Sequence, residues 1–131
     1  GRSMDDFEIM GPGFVVTGPT EEAMAKAATG IRQQIAFYAS TPAYKGVLEL
    51  HGWEGLHDDL NAMSKRGEWK EMGDLIDDEM LDTFAVVAEP DRVADGIRAR
   101  YGDCVDRMTF YALGGDHDAD VWTSIVADLA A

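Results

Sequence analysis

Two segments of this chain are apolar on both faces of an extended backbone, and that narrows the folds open to it. "DDFEIMGPGFVVTG" carries Phe7 and Ile9, then Phe14, Val15 and Val16 in succession. "VDRMTFYAL" sets Met108, Phe110 and Ala112 on one side, Tyr111 and Leu113 on the other. A strand of that kind needs cover on both faces, as in a parallel sheet wrapped by helices. Gly11-Pro12-Gly13 must break or bulge the first segment. The pattern predicts strands at about 7–16 and 105–113, with a short extended piece opening "FAVVAEPDRVADGIRARYG". Two parallel strands do not make a stable sheet by themselves. The chain therefore reads as part of a larger α/β object, or as something that assembles.

The rest of the pattern is helical. Thr20 is a good N-cap, and Glu21 and Glu22 set negative charge against the helix dipole. Ala23, Ala27, Ile31 and Ile35 then recur every fourth residue, a stripe that predicts a helix at about 20–38. Ser40 or Thr41 can cap a helix at 42–51 with Pro42 in its first turn and Gly52 at its end. Leu56, Leu60 and Met63 predict a helix at 54–66 ending at Gly67, and Trp69, Met72, Ile76 and Met80 one at 68–82. Val93 and Ile97 mark a helix at 90–101, and Val121, Trp122, Ile125 and Leu129 a last one at 118–130. Strand, helix, helical insert, helix, strand, helix is the grammar of a helix-rich α/β fold with parallel strands. The 131 residues read as a single unit.

Composition excludes several roles. Eleven basic against 25 acidic residues give a net charge of −14, which repels nucleic acid and anionic lipid. No apolar run approaches the roughly 20 residues of a membrane span, and no signal pattern opens the chain. Cys104 has no partner for an internal disulfide, and the expectation is a cytoplasmic domain in which it is a small apolar filler.

Few motifs point to chemistry. "GPGFVVTG" is not a phosphate loop, because Val16 stands where a glycine is required and no Gly-Lys-Ser/Thr follows. Asp116, Asp118 and Asp120 match the start of a calcium loop, but Val121 and Ala127 replace its glycine and glutamate, so helix capping explains them. His51, His57 and His117 form no zinc pattern, no metal is expected, and His57 beside Asp58 and Asp59 reads as a solvated residue. Ser40 and Thr41 could donate to a ligand, although capping accounts for both. Tyr38 and Tyr44 read as core.

Longer blocks carry a resemblance. "GRSMDDFEIMGPGFVVTGPTEEA", "IAFYASTPAYKGVLELHGW", "WKEMGDLIDDEMLDTFAVVAEPDRVADGI" and "VDRMTFYALGGD" resemble, in this order, the C-terminal part of a luciferase-like monooxygenase. The nearest likeness is to the oxidoreductases that use the deazaflavin coenzyme F-420. The resemblance implies a partial (β/α)8 TIM barrel, comprising the last two strand–helix units and a helical insert. It implies a site at the C-terminal strand ends, near Thr17, Gly18, Gly114, Gly115 and Asp116, with Tyr38, Ser40 and His51 as further rim candidates. F-420, or alternatively FMN, would serve the intact enzyme in hydride transfer to or from a small organic substrate. The catalytic residues would lie upstream, and this chain alone would bind no cofactor. Its partner would be the remaining N-terminal part of the barrel or another copy of itself. The competing reading is a stand-alone helical binding or assembly module.

Overall fold

The structure, a computed structural model, describes residues 1–113 and 118–131. Its centre is β1 (Met10–Val16), which pairs in parallel with β2 (Ala85–Val87) on one edge and β3 (Arg107–Tyr111) on the other. Phe14 is level with both Ala85 and Tyr111, and Val16 with Val87. The extended piece of "FAVVAEP" is thus a true strand, tied further by the Ala88 N–H donating to the Val16 carbonyl at 3.1 Å.

Between β1 and β2 run five helices: α1 (Glu21–Ala39), α2 (Lys45–Leu50), α3 (Glu54–Arg66), α4 (Trp69–Met72) and α5 (Asp78–Phe84). α6 (Val93–Tyr101) joins β2 to β3, and α7 (Ala119–Ala130) follows. The stripe expected on α1 is its buried face: Ala27, Ile31 and Ile35 pack with Val16, Leu48, Leu60, Met72 and Ile76. Val15 and Val86 point the other way, into a second core with Val93, Ile97 and Ile125. Helices therefore cover both faces of an open sheet.

β2 lies on the opposite edge of β1 from β3, and α6 and α7 cover the second face. The α/β, helix-rich class stands, and the three-stranded parallel sheet is consistent with part of a barrel.

Several boundaries differ from expectation. The strand foreseen at 7–16 starts at Met10; Phe7 and Ile9 are exposed, after a 3-10 turn at Met4–Asp6 that Ser3 caps. The strand foreseen at 105–113 spans 107–111 and is covered on one face only, where Phe110 stacks on Trp122 at 5.5 Å. On its other face Thr109 and Tyr111 are exposed. The helix foreseen at 68–82 is broken: a 3-10 turn at Gly73–Leu75 ends the first piece, and Asp77 starts the second by accepting from the Met80 N–H at 2.9 Å. Ile76, between them, plunges into the core while its carbonyl accepts from the Arg32 guanidinium. The helices foreseen at 42–51 and 90–101 both open as 3-10 turns, at Pro42–Tyr44 and Pro90–Arg92.

Two glycines give the packing a test. A Cβ on Gly18 would lie 2.7 Å from the Ala23 Cβ and 2.9 Å from the α1 backbone, so the strand end can approach that helix only without a side chain. Gly46, inside α2, has open space around it. Gly18→Ala is expected to cost about 1–3 kcal/mol by overpacking, and Gly46→Ala to add up to about 1 kcal/mol by helix propensity. Urea unfolding midpoints should move in opposite directions; a common shift would contradict the packing.

Candidate functional site

The residues singled out from the sequence fall at two ends of the molecule. Thr17 and Gly18 follow the C-terminal end of β1, the edge where α/β sheets hold ligands. Tyr38 and Ser40 lie at the far end of α1. Gly18 packs against Ala23, so Tyr38 lies roughly 22 Å from it along the helix axis. Gly114, Gly115 and Asp116 lie outside the described residues.

At the strand end, Thr17 is buried, and its Oγ1 has no hydrogen-bond partner among the described residues. Gly18 is explained by its approach to α1, and Thr20 caps that helix by accepting from the Ala23 N–H at 3.1 Å. At the other end, Ser40 is a structural residue. It is buried, and its hydroxyl donates to the Phe37 carbonyl at 2.7 Å, so it closes α1 and does not open the following turn. The Thr41 hydroxyl does the same at 3.3 Å.

The remaining α1 carbonyls are met from α3. The His57 Nδ1–H donates to Ala39 at 2.8 Å, and Asn61 Nδ2 donates to the Ser40 carbonyl at 3.0 Å. His57 is only 6% exposed and is not the solvated residue its acidic neighbours suggested. A carbonyl can only accept, which fixes the proton on Nδ1. Cys104 departs from expectation in the opposite sense: it is exposed, and its thiol donates to the Tyr101 carbonyl at 3.5 Å. Asp118 caps α7 by accepting from the Asp120 N–H at 2.9 Å, and among the described residues no group of acidic, histidine or cysteine side chains could hold a metal ion.

Tyr38 belongs to a wall of rings. It lies 6.3 Å from Phe14 and 5.5 Å from Tyr44, and Phe14 meets Tyr111 edge-on at 5.7 Å. These rings and Phe84 line a cleft of about 390 Å³ between the last turns of α1, α2 and the side of β1 and β3 that carries Phe14 and Tyr111. His51 is exposed and outside the lining; it stacks on Trp53 at 4.8 Å and meets Phe84 edge-on at 5.7 Å. The sequence named Tyr38 as a rim candidate and read Tyr44 as core, whereas Tyr44 is exposed, and Phe14, Phe84 and Tyr111 were not foreseen as cleft walls. Their alternation was visible, whereas the register that brings Phe14 level with Tyr111 was not.

A bidentate ion pair lies elsewhere. The Arg66 guanidinium, bound to Glu68 at 2.9 and 2.7 Å, holds that carboxyl below its ordinary range and is itself raised by it. The pair spans Gly67, whose φ of +76° closes α3. A phosphate-bearing cofactor asks for cations or free N–H donors. The cleft lining contains neither lysine nor arginine, and α1 opens with Glu21 and Glu22. Neither the cleft lining nor the first turn of α1 offers a cation to such a group. No helix among the described residues is long and apolar enough to cross a membrane.

A parallel α/β sheet with a long helical insert after its first strand is a framework for a strand-end site, and kinship accords with it. The sequence profile of the luciferase-like monooxygenase family matches residues 1–107, and the chain belongs to that family. It is 51% identical over 108 residues to the uncharacterised proteins Rv1360 and MT1405 of Mycobacterium tuberculosis and Mb1395 of Mycobacterium bovis. The match takes in 82% of this chain but 32% of each relative, so the chain spans about a third of their length.

Two substitutions separate structural from functional roles here. Thr17→Val removes an unpaired buried hydroxyl and is expected to leave stability unchanged or raise it by about 1 kcal/mol. His57→Leu strands the Ala39 carbonyl and is expected to cost about 1–3 kcal/mol. Thermal unfolding of both variants is the check, and a large loss for Thr17→Val would mean that its hydroxyl is bonded after all.

Proposed function

We propose that this chain is the C-terminal part of a luciferase-like oxidoreductase of the F-420-dependent type. In the intact enzyme it would complete the barrel and shape the mouth where a hydride passes between coenzyme and a small organic substrate. The observation that carries this reading is the family match over most of a chain only a third as long as its relatives. Enclosing coenzyme and substrate together takes more walls than three strands supply. The lack of cations in the cleft agrees with a coenzyme held mainly by residues outside this chain. On this reading the 131-residue chain is inactive alone, its partner is the rest of the barrel or a second copy, and it works in the cytoplasm.

FMN in place of F-420 is the alternative within the same family. A stand-alone helical binding or assembly module is the alternative outside it, and the second core under α6 and α7 is the observation in its favour. That core lets the chain cover its own sheet without a barrel.

Fluorescence titration with F-420 separates these readings. The chain alone is expected to give no saturable binding at micromolar concentration. Mixed with the segment of the Rv1360 protein that lies outside the matched stretch, it is expected to bind. Micromolar binding by the chain alone would overturn its dependence on a partner. Binding of FMN but not F-420 by the mixture would move the assignment to the flavin enzymes, and binding of neither would favour the module. Light scattering tests the partner: the edges of β2 and β3 and the exposed Phe7 and Met10 predict self-association at micromolar concentration.

A further inference from the structure

The aromatic cleft reaches from the middle of β1 to the last residue of β3. Its strand residues are Pro12, Gly13 and Phe14 of β1 and Tyr111, the C-terminal residue of β3, with Phe84 just before β2. Its helical side is the last turns of α1, at the opposite end from Thr17 and Gly18. It is also deep. Ile35, Ala39 and Leu48 form part of its lining and are 5%, 4% and 3% exposed, so its floor is the core itself. A flat interface for another protein would not reach such residues. The volume of about 390 Å³ falls in the range of small-molecule sites.

The lining states its own chemistry. Among its side chains only Tyr38, Tyr44 and Tyr111 carry a polar atom, and none carries a charge. The contacts among these rings and Phe14 are tilted and edge-on, the geometry in which aromatic rings also receive a further ring. An anion would enter without a cation to meet it, on a protein of net charge −14. We propose that this cleft binds an uncharged aromatic compound that carries a hydroxyl or carbonyl group, with the ring between the aromatic walls and the polar group on a tyrosine hydroxyl. The site does not depend on the oxidoreductase reading, and a failure of coenzyme binding leaves it standing.

The test is NMR titration of the 131-residue chain with 2-naphthol, and with 2-naphthalenesulfonate as the anion of the same ring system. The expected result is saturable binding of one 2-naphthol, with shifts centred on Tyr38, Tyr44 and Leu48, and at least tenfold weaker binding of the sulfonate. Val47 lines the cleft but is 38% exposed, so Val47→Trp should obstruct the mouth and keep the fold. It is expected to weaken 2-naphthol at least tenfold with an unchanged circular dichroism spectrum. Tyr44→Phe and Tyr111→Phe, which keep the rings, are expected together to cancel the preference for 2-naphthol over naphthalene. Equal affinity for the two probes, shifts centred elsewhere, or full affinity in a folded Val47→Trp protein would each overturn the proposal. So would a dimer whose interface covers Tyr44 and Tyr111 and excludes 2-naphthol, since the occupant would then be a second copy.

Discussion

The structure depends on covering both faces of one strand. In β1, Phe14 and Val16 face the α1 side while Val15 faces α6 and α7, and Val15 and Val16 are at most 1% exposed. Each such side chain contributes about 1.5–3 kcal/mol when fully buried, and neither face can be left to water. A long helical insert takes one face, and the two C-terminal helices take the other. Sheet order follows from the same need. With α6 crossing beneath the sheet, β3 arrives on the far side of β1 from β2.

The helical insert is held to this frame by directed bonds as well as by burial. The Arg32 guanidinium, three-quarters buried on α1, reaches the Ile76 carbonyl and Asp78 where the chain breaks between α4 and α5. Arg100 does the same from α6, donating to the Thr83 carbonyl at 3.2 Å and to that of Asp82. His57 and Asn61 lock α3 against the end of α1. Guanidinium groups suit this work because several donors in one plane can serve carbonyl groups at the ends of helices. The cleft inherits its shape from these ties, since Tyr38, Ala39 and Tyr44 all follow or precede a bonded carbonyl. A rigid end of α1 is what keeps five rings apart enough to leave a space.

Family membership and local structure speak to different parts of the molecule. The profile match ends at Arg107, at the start of β3, so that α6 of the second core lies inside it and α7 beyond it. The insert and β1, with the break at Ile76, fall inside the match. An open sheet with helices on both sides is the arrangement these 131 residues reach with their own side chains.

What the sequence determined by itself is local. Alternation at Phe14–Val16, the four-residue stripe from Ala23 to Ile35, Thr20 as a cap and Gly67 as a stop each rest on a few neighbouring residues, and each has its expected place. The outward face of β3, the burial of His57 and the break at Ile76 were not legible, because each is set by a residue distant in the chain. His57 is buried because Ala39 offers a carbonyl, and the break at Ile76 stands because Arg32 takes its oxygen. The cleft is the clearest case. Phe14, Tyr38, Phe84 and Tyr111 span almost a hundred positions, and only pairing register and the packing of α1 decide that their rings surround one space.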